Sequence, residues 1–207
     1  MLNNASARRV AAVLVDPMAR GLLAARVSPD AVTLVGTLGT AVGALVFYPR
    51  ESWLVGTLVI LVFVLSDLLD GTMARMSGRS GPWGAFLDST LDRVGDGAVF
   101  GGMVLGLAHA GDLATAGVAL ACLVGGAVVS YAKARAESIG VECNVGIAER
   151  AERLGIALLA ALVYGLGVPY VLPVALWVLA VLTWITVGQR VLHVRRALRP
   201  VPPGGSA

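Results

Sequence analysis

"LGIALLAALVYGLGVPYVLPVALWVLAVLTWITVG", residues 154–188, runs for 35 positions without a charged side chain. A helix needs about 20 residues to cross a hydrocarbon core of about 30 Å, so the run is too long for one crossing. Gly167, Pro169 and Pro173 interrupt its middle, and such residues end one helix and begin another. The stretch therefore reads as a hairpin of two membrane-spanning helices.

The same reading extends along the chain. Ala31–Tyr48 and Ala114–Ala132 are uncharged, Trp53–Leu69 gives another span, and Gly84–Ala108 gives one more. The expected fold is an all-α integral membrane protein with six transmembrane helices. Composition agrees, since 57% of the 207 residues are hydrophobic and only 14% are charged, where a soluble domain carries about 25%. The alternating pattern of a membrane barrel is missing, which leaves helices to satisfy the backbone in lipid.

Ahead of these spans, Ala5–Ala25 mixes Arg8, Arg9 and Arg20 with Val10, Val13, Leu14, Leu22 and Leu23. That pattern suits an amphipathic helix lying along the membrane surface, bent at Pro17. The first thirty residues hold no continuous apolar core, so a cleavable signal peptide is not expected. The expected organisation is one membrane domain over 1–199, divided into an interfacial helix (1–27) and a six-helix core with its cytoplasmic end (28–199). The tail "PVPPGGSA", 200–207, reads as disordered.

Basic residues orient the chain. With the N-terminus in the cytoplasm, Arg and Lys fall at or near cytoplasmic helix ends and only Arg50 lies in an outer loop, as the positive-inside rule requires. The net charge of +3 thus reflects topology and makes no case for nucleic acid. Cys122 lies in an apolar span and Cys143 in a loop, so neither suggests a disulfide. His109 and His193 fall at opposite ends and belong to no zinc cluster.

One stretch breaks the apolar pattern: "DLLDGTMARMSGRSGPWGAFLDSTLDRVGD", residues 67–96. Asp67 and Asp70 are three apart and Asp88 and Asp92 four apart, so each pair shares a helix face; Asp96 follows one turn on. The glycine-rich connection between them turns the chain back, which lets the two acidic faces meet at the cytoplasmic mouths of adjacent helices. Carboxylates so close repel strongly. Arg75 and Arg93 can neutralise part of the charge, as in a salt-bridged polar plug. Oxygen ligands converging from two helices are also the donor set that Mg²⁺ or Mn²⁺ prefers, and intramembrane carboxylates are usually functional.

The pattern Asp67-x2-Asp70-Gly71-x2-Ala74-Arg75-x8-Gly84-x3-Asp88-x3-Asp92 resembles the signature of the CDP-alcohol phosphatidyltransferase family in every fixed position. The resemblance covers the whole chain, because that family has six transmembrane helices after a surface N-terminal helix. It implies a homodimer in the bacterial inner membrane with its active site facing the cytoplasm. By the same resemblance, Asp67, Asp70, Asp88 and Asp92 hold two divalent ions, Mg²⁺ or Mn²⁺, beside the pyrophosphate of a CDP-linked lipid, and Asp92 accepts a proton. Gly71 would let a nucleotide approach the helix backbone closely, or would serve helix packing. Arg75 would fork onto phosphate, or merely snorkel.

Upstream, "VSPDAVTL" (Val27–Leu34) resembles the family's Ser-Pro-Asn-x-x-Thr lead into the first helix, with Asp30 in place of the commoner Asn. Ser28 or Asp30 can cap that helix and Pro29 suits its start. The family comparison adds nucleotide contacts from Asp30, Ala31, Val32 and Thr33. A further loop contact, often Ser or Thr, falls on Gly81 with Ser80 beside it.

The acceptor is addressed by "YAKARAESIGVECNVGIAERAERLG", Tyr131–Gly155. Lys133, Arg135, Arg150 and Arg153 cluster on the cytoplasmic side. Topology alone would explain them, but cations facing a cavity also suit an acceptor that carries its own phosphate. The words "KARAE" and "ERAER" resemble an actinobacterial subgroup of the family that joins inositol 3-phosphate to CDP-diacylglycerol. That resemblance implies an acceptor pocket of Lys133, Arg153 and one of Arg190, Arg195 or Arg196, with Arg195 preferred. Arg135 and Glu149 or Glu152 would form supporting ion pairs. The rival readings are transfer to glycerol 3-phosphate, giving phosphatidylglycerophosphate, and a divalent-cation channel or transporter. The second needs a polar path to the outer face, where the sequence is almost wholly apolar.

Overall fold

A computed structural model describes residues 15–64, 66–78 and 81–199, apart from the side chains of Asp67 and Leu68. Among the described residues all regular secondary structure is helical, with no strand. Residues 15–24 form α1, and the polypeptide turns at Arg26, whose φ of 61° is left-handed. The first part of the expected interfacial helix and the 200–207 tail lie outside the described residues.

Helix α2, Pro29–Val42, starts as its sequence dictates: Pro29 occupies the first turn and the Ser28 side chain accepts from the Ala31 amide at 3.2 Å, satisfying a donor the helix cannot pair. It continues through a π-helical turn, Gly43–Phe47, and a 3₁₀ turn, Tyr48–Arg50. Helices α3 (Trp53–Val64) and α4 (Ser66–Met76) follow. Next come α5 (Pro82–His109), α6 (Leu113–Ser138), α7 (Arg150–Gly165) and α8 (Val171–Ala197).

Among the described residues, four stretches are long and apolar enough to cross a bilayer: Pro29–Arg50, Trp53–Met76, Leu113–Ser138 and Val171–Ala197. The other two expected spans differ for physical reasons. Helix α5 carries Asp88, Asp92, Arg93 and Asp96 in its first half, and α7 has only 16 residues, short of the usual span. The hairpin expected within residues 154–188 is present, turning at Gly167 with φ 98°. Pro173, expected as a breaker, instead sits in the first turn of α8, where its missing N–H has no partner to lose.

The helices contact one another in a closed ring: α2 against α5, α5 against α6, α6 against α8, α8 against α7, α7 against α3, and α3 back to α2, with α4 also on α2. Polarity within the ring is the reverse of a soluble bundle. Thr33, Thr40, Thr183, Thr186, Arg153 and Arg190 are buried, while Leu38, Val62, Leu159, Val174 and Trp177 are exposed. An apolar exterior around a partly polar interior is what a lipid solvent selects.

The end opposite the aspartates is sealed by aromatics. Tyr48 stacks on Trp53 at 4.8 Å between ring centroids, Trp53 meets Tyr164 edge-on at 5.3 Å, and the Tyr48 hydroxyl pairs with Thr57 at 2.9 Å. Glycine makes this closure possible. A Cβ at Gly106 would stand 2.4 Å from the Tyr48 carbonyl oxygen, and one at Gly102 would stand 2.6 Å from that of Ala44. Both obstacles are backbone and cannot swing away. Gly106→Ala should therefore destabilise the fold by about 1–3 kcal/mol, the usual cost of overpacking, read as earlier thermal unfolding in detergent without a change in substrate affinity.

Candidate active site

Two cavities open at the ring's acidic end. The first, about 420 Å³, lies among α2, α4 and α5. Asp70, Asp88 and Asp92 border it, as do Asp30, Thr33, Gly71, Arg75 and Gly81. The second, about 700 Å³, lies among α5, α6, α7 and α8 and is bordered by Lys133, Arg153 and Arg190. Asp92 and Arg150 border both. They form the partition.

The first cavity brings together most of the residues expected to hold metal and CDP-lipid. Asp70 is buried, 8% exposed. Arg75 donates from Nη2 to Thr72 Oγ1 at 3.0 Å, which steadies a guanidinium that still borders the opening. A Cβ at Gly71 would meet only Arg75 Nη1, at 3.7 Å. No neighbouring helix therefore demands this glycine; it keeps the cavity wall low. Asp30 accepts from Trp83 Nε1 at 3.1 Å, tying the start of α2 to the start of α5. Ala31 and Val32 do not border the cavity, although the Ala31 amide takes part in the helix cap. The side chain of Asp67 lies outside the described set.

Asp70, Asp88 and Asp92 present only oxygen donors to one cavity from two helices, which fits a hard divalent cation and not a soft one. Among the described residues, no three acidic, His or Cys side chains already converge on a point. Instead Asp92 Oδ1 pairs with Arg150 Nη1 at 2.9 Å, and its Oδ2 lies 3.8 Å from Arg93 Nη2. Asp96, one turn on, pairs with Arg150 Nε at 3.1 Å and Arg93 Nη2 at 3.4 Å. Arg93 also donates to the Ser130 hydroxyl. These arginines supply part of the neutralisation that crowded carboxylates require.

The second cavity is built from buried arginines held by backbone carbonyls. Arg153 is 2% exposed and donates to the Ala148 carbonyl at 2.8 Å. Arg190 is 3% exposed and donates to Val145 O at 2.9 Å and Val129 O at 2.6 Å. Thr186 Oγ1 accepts from the Ala148 amide at 3.1 Å, so α8 fastens the loop that leads into α7. Lys133 lies 3.9 Å from Glu137, and Arg190 lies 4.0 Å from Glu149. Arg153 forms no ion pair among the described residues. A buried guanidinium without a carboxylate, in the first turn of a helix, favours an anion.

Of the C-terminal arginines, Arg195 is exposed and borders neither cavity, whereas Arg190 borders the second. Thr183, Thr186 and Arg190 are all buried and repeat at helical spacing, a polar stripe that marks the inward face of α8. In the sequence Arg150 stands only as one of four clustered cytoplasmic cations, with no role of its own. Its signal is position: a cation opening a helix opposes the dipole and needs an anion nearby.

A family model described as CDP-alcohol phosphatidyltransferase matches residues 26–189. A phosphatidylinositol phosphate synthase from Streptomyces avermitilis is 53% identical over 201 residues, covering 93% of this chain and 82% of that protein. One from Cutibacterium acnes is 46% identical over 197 residues, covering 90% and 94%. The fold superposes on a crystal structure of Mycobacterium tuberculosis phosphatidylinositol phosphate synthase with CDP-DAG bound, with TM-score 0.86 and 42% identity, over 91% of this chain and 98% of that one. A structure of the same enzyme in complex with manganese and citrate also gives TM-score 0.86, at 41% identity over 93% and 96%.

Proposed function

The chain belongs to the CDP-alcohol phosphatidyltransferase family and is a transferase of phospholipid synthesis, and from that premise we propose that it joins CDP-diacylglycerol to inositol 3-phosphate, forming phosphatidylinositol phosphate and CMP. One observation carries the reading: an acidic cavity and a basic cavity share a wall at Asp92. CDP-lipid would occupy the first and the phosphorylated acceptor the second, so that the acceptor hydroxyl meets the reacting phosphorus beside a carboxylate.

In this reading Asp92 takes the hydroxyl proton as the oxygen attacks the phosphorus next to the diacylglycerol; the bond to CMP breaks and CMP leaves. Divalent ions held by Asp67, Asp70, Asp88 and Asp92 would neutralise phosphate charge and stabilise the departing oxygen. Arg75 would steady the pyrophosphate, with Asp30, Thr33 and Gly81 around the nucleotide. Arg153, Arg190 and Lys133 would hold the acceptor phosphate. The relative solved with CDP-DAG supports the donor, and the one solved with manganese supports a divalent ion. Two ions per site, a six-span topology with the site on the cytoplasmic side, and a homodimer complete the proposal.

The acceptor assay decides between family members. Purified protein with CDP-diacylglycerol and Mg²⁺ should release CMP faster with inositol 3-phosphate than with glycerol 3-phosphate; the reverse preference would end the inositol reading. A cation path is disfavoured by the aromatic seal of Tyr48, Trp53 and Tyr164 at the far end from the carboxylates. Because Gly71 faces open cavity, Gly71→Leu should leave thermal stability unchanged yet raise the KM for CDP-lipid by about tenfold or more, the scale of one blocked pocket contact. Steady-state titration of CDP-lipid at saturating acceptor would measure it.

A further inference from the structure

We propose that Arg150 is a positioning residue that holds Asp92 at the partition and competes with divalent cations for its carboxylate; the inference rests on the transfer reaction proposed above. Three observations carry it. Arg150 opens α7, where the helix dipole disfavours a cation, so its placement needs an offset from elsewhere. That offset is a fork across one turn of α5, Nη1 to Asp92 at 2.9 Å and Nε to Asp96 at 3.1 Å. Finally, Arg150 borders both cavities, as Asp92 does.

The geometry gives Asp92 two suitors. A planar guanidinium that grips Asp92 and Asp96 together fixes the first carboxylate's direction as no single point charge would. The same guanidinium places a positive charge in contact with an oxygen that a divalent ion also needs. Side-chain exposures of 29% for Arg150 and 19% for Asp92 leave this repulsion only partly screened by water. Asp96 then acts as the ballast that keeps Arg150 from neutralising Asp92 fully.

The test uses Mn²⁺ itself, titrated into metal-free full-length protein in detergent and followed by the electron paramagnetic resonance of free Mn²⁺, alongside CMP release. Arg150→Gln should bind Mn²⁺ more tightly, on the order of tenfold, as one adjacent positive charge is removed. Its kcat should fall by about tenfold or more while the KM for the acceptor barely moves, the signature of lost alignment and not lost binding. Arg150→Lys should return Mn²⁺ affinity towards the parent value but leave kcat low, because an ammonium cannot span both carboxylates. Asp96→Asn, which leaves Arg150 to Asp92 alone, should weaken Mn²⁺ binding and keeps the test open if the glutamine variant does not fold. Unchanged or weaker Mn²⁺ binding in Arg150→Gln would overturn the inference. A parent protein that binds Mn²⁺ but releases no CMP with inositol 3-phosphate would overturn the acceptor reading instead, and the Mn²⁺ comparison would still decide on Arg150.

Discussion

Asp92→Asn should lower kcat for CMP release by about 10²–10⁴-fold, the usual contribution of a positioned general base, with little change in the KM for the acceptor. The amide keeps the size of the side chain but cannot take the hydroxyl proton. It also removes one negative charge from the wall between the cavities, where Asp92 and Asp96 crowd on one helix and Arg93 and Arg150 hold both. Relief of repulsion between neighbouring carboxylates offsets part of the lost ion pairing, so the variant should fold and unfold close to the parent temperature. A folded Asp92→Asn protein that retains more than a tenth of parental kcat would remove Asp92 from proton transfer and shift the search to Asp88, which borders the same cavity.

The second large effect is expected at the opposite wall. Arg153→Ala should reduce kcat/KM for inositol 3-phosphate by about 10- to 1000-fold, the range spanned by losing a buried charge-assisted contact. Most of the loss should appear as raised acceptor KM, since phosphate binding precedes the chemical step. The prediction is sharp because Arg153 is nearly fully buried and forms no carboxylate pair among the described residues, whereas Lys133 and Arg190 each have a glutamate within 4.0 Å. Alanine also strips the Ala148 carbonyl of its donor, at about 1–3 kcal/mol of stability. Arg153→Lys separates the two costs, restoring charge but not the fork. A discriminating readout is the preference for inositol 3-phosphate over free inositol, which should collapse in Arg153→Ala if this guanidinium recognises phosphate.

The acidic half of the site was legible in the sequence because its chemistry lies in spacing. Asp70, Gly71, Arg75, Asp88 and Asp92 sit on two successive helices only a few residues apart in the chain, and helical periodicity alone sends them to one mouth. The basic half was legible only in composition. Residues 190 and 195 stand five apart, well away from one another around a helix of 3.6 residues per turn, and the early turns of α8, with Leu172, Leu176 and Leu179 buried and Val174, Trp177 and Val178 exposed, are apolar on both faces and give hydrophobicity no power to choose between them. The inward stripe of Thr183 and Thr186 makes that choice for Arg190. Arg150 was hidden for a different reason: its partners lie 54 and 58 positions earlier, and only the contact between helices discloses them. The hairpin within residues 154–188 was readable from Gly167, whereas the role of Pro173 depended on which side of the turn it fell.

The partition made by Asp92 and Arg150 has a bearing on the order of events. Two chambers that meet at a single pair of side chains can be loaded independently, and neither guest must leave before the other arrives. Under the proposed transfer such an enzyme would have no use for a covalent halfway stage: donor and recipient would wait side by side, and the transfer would need only the moment when both are home.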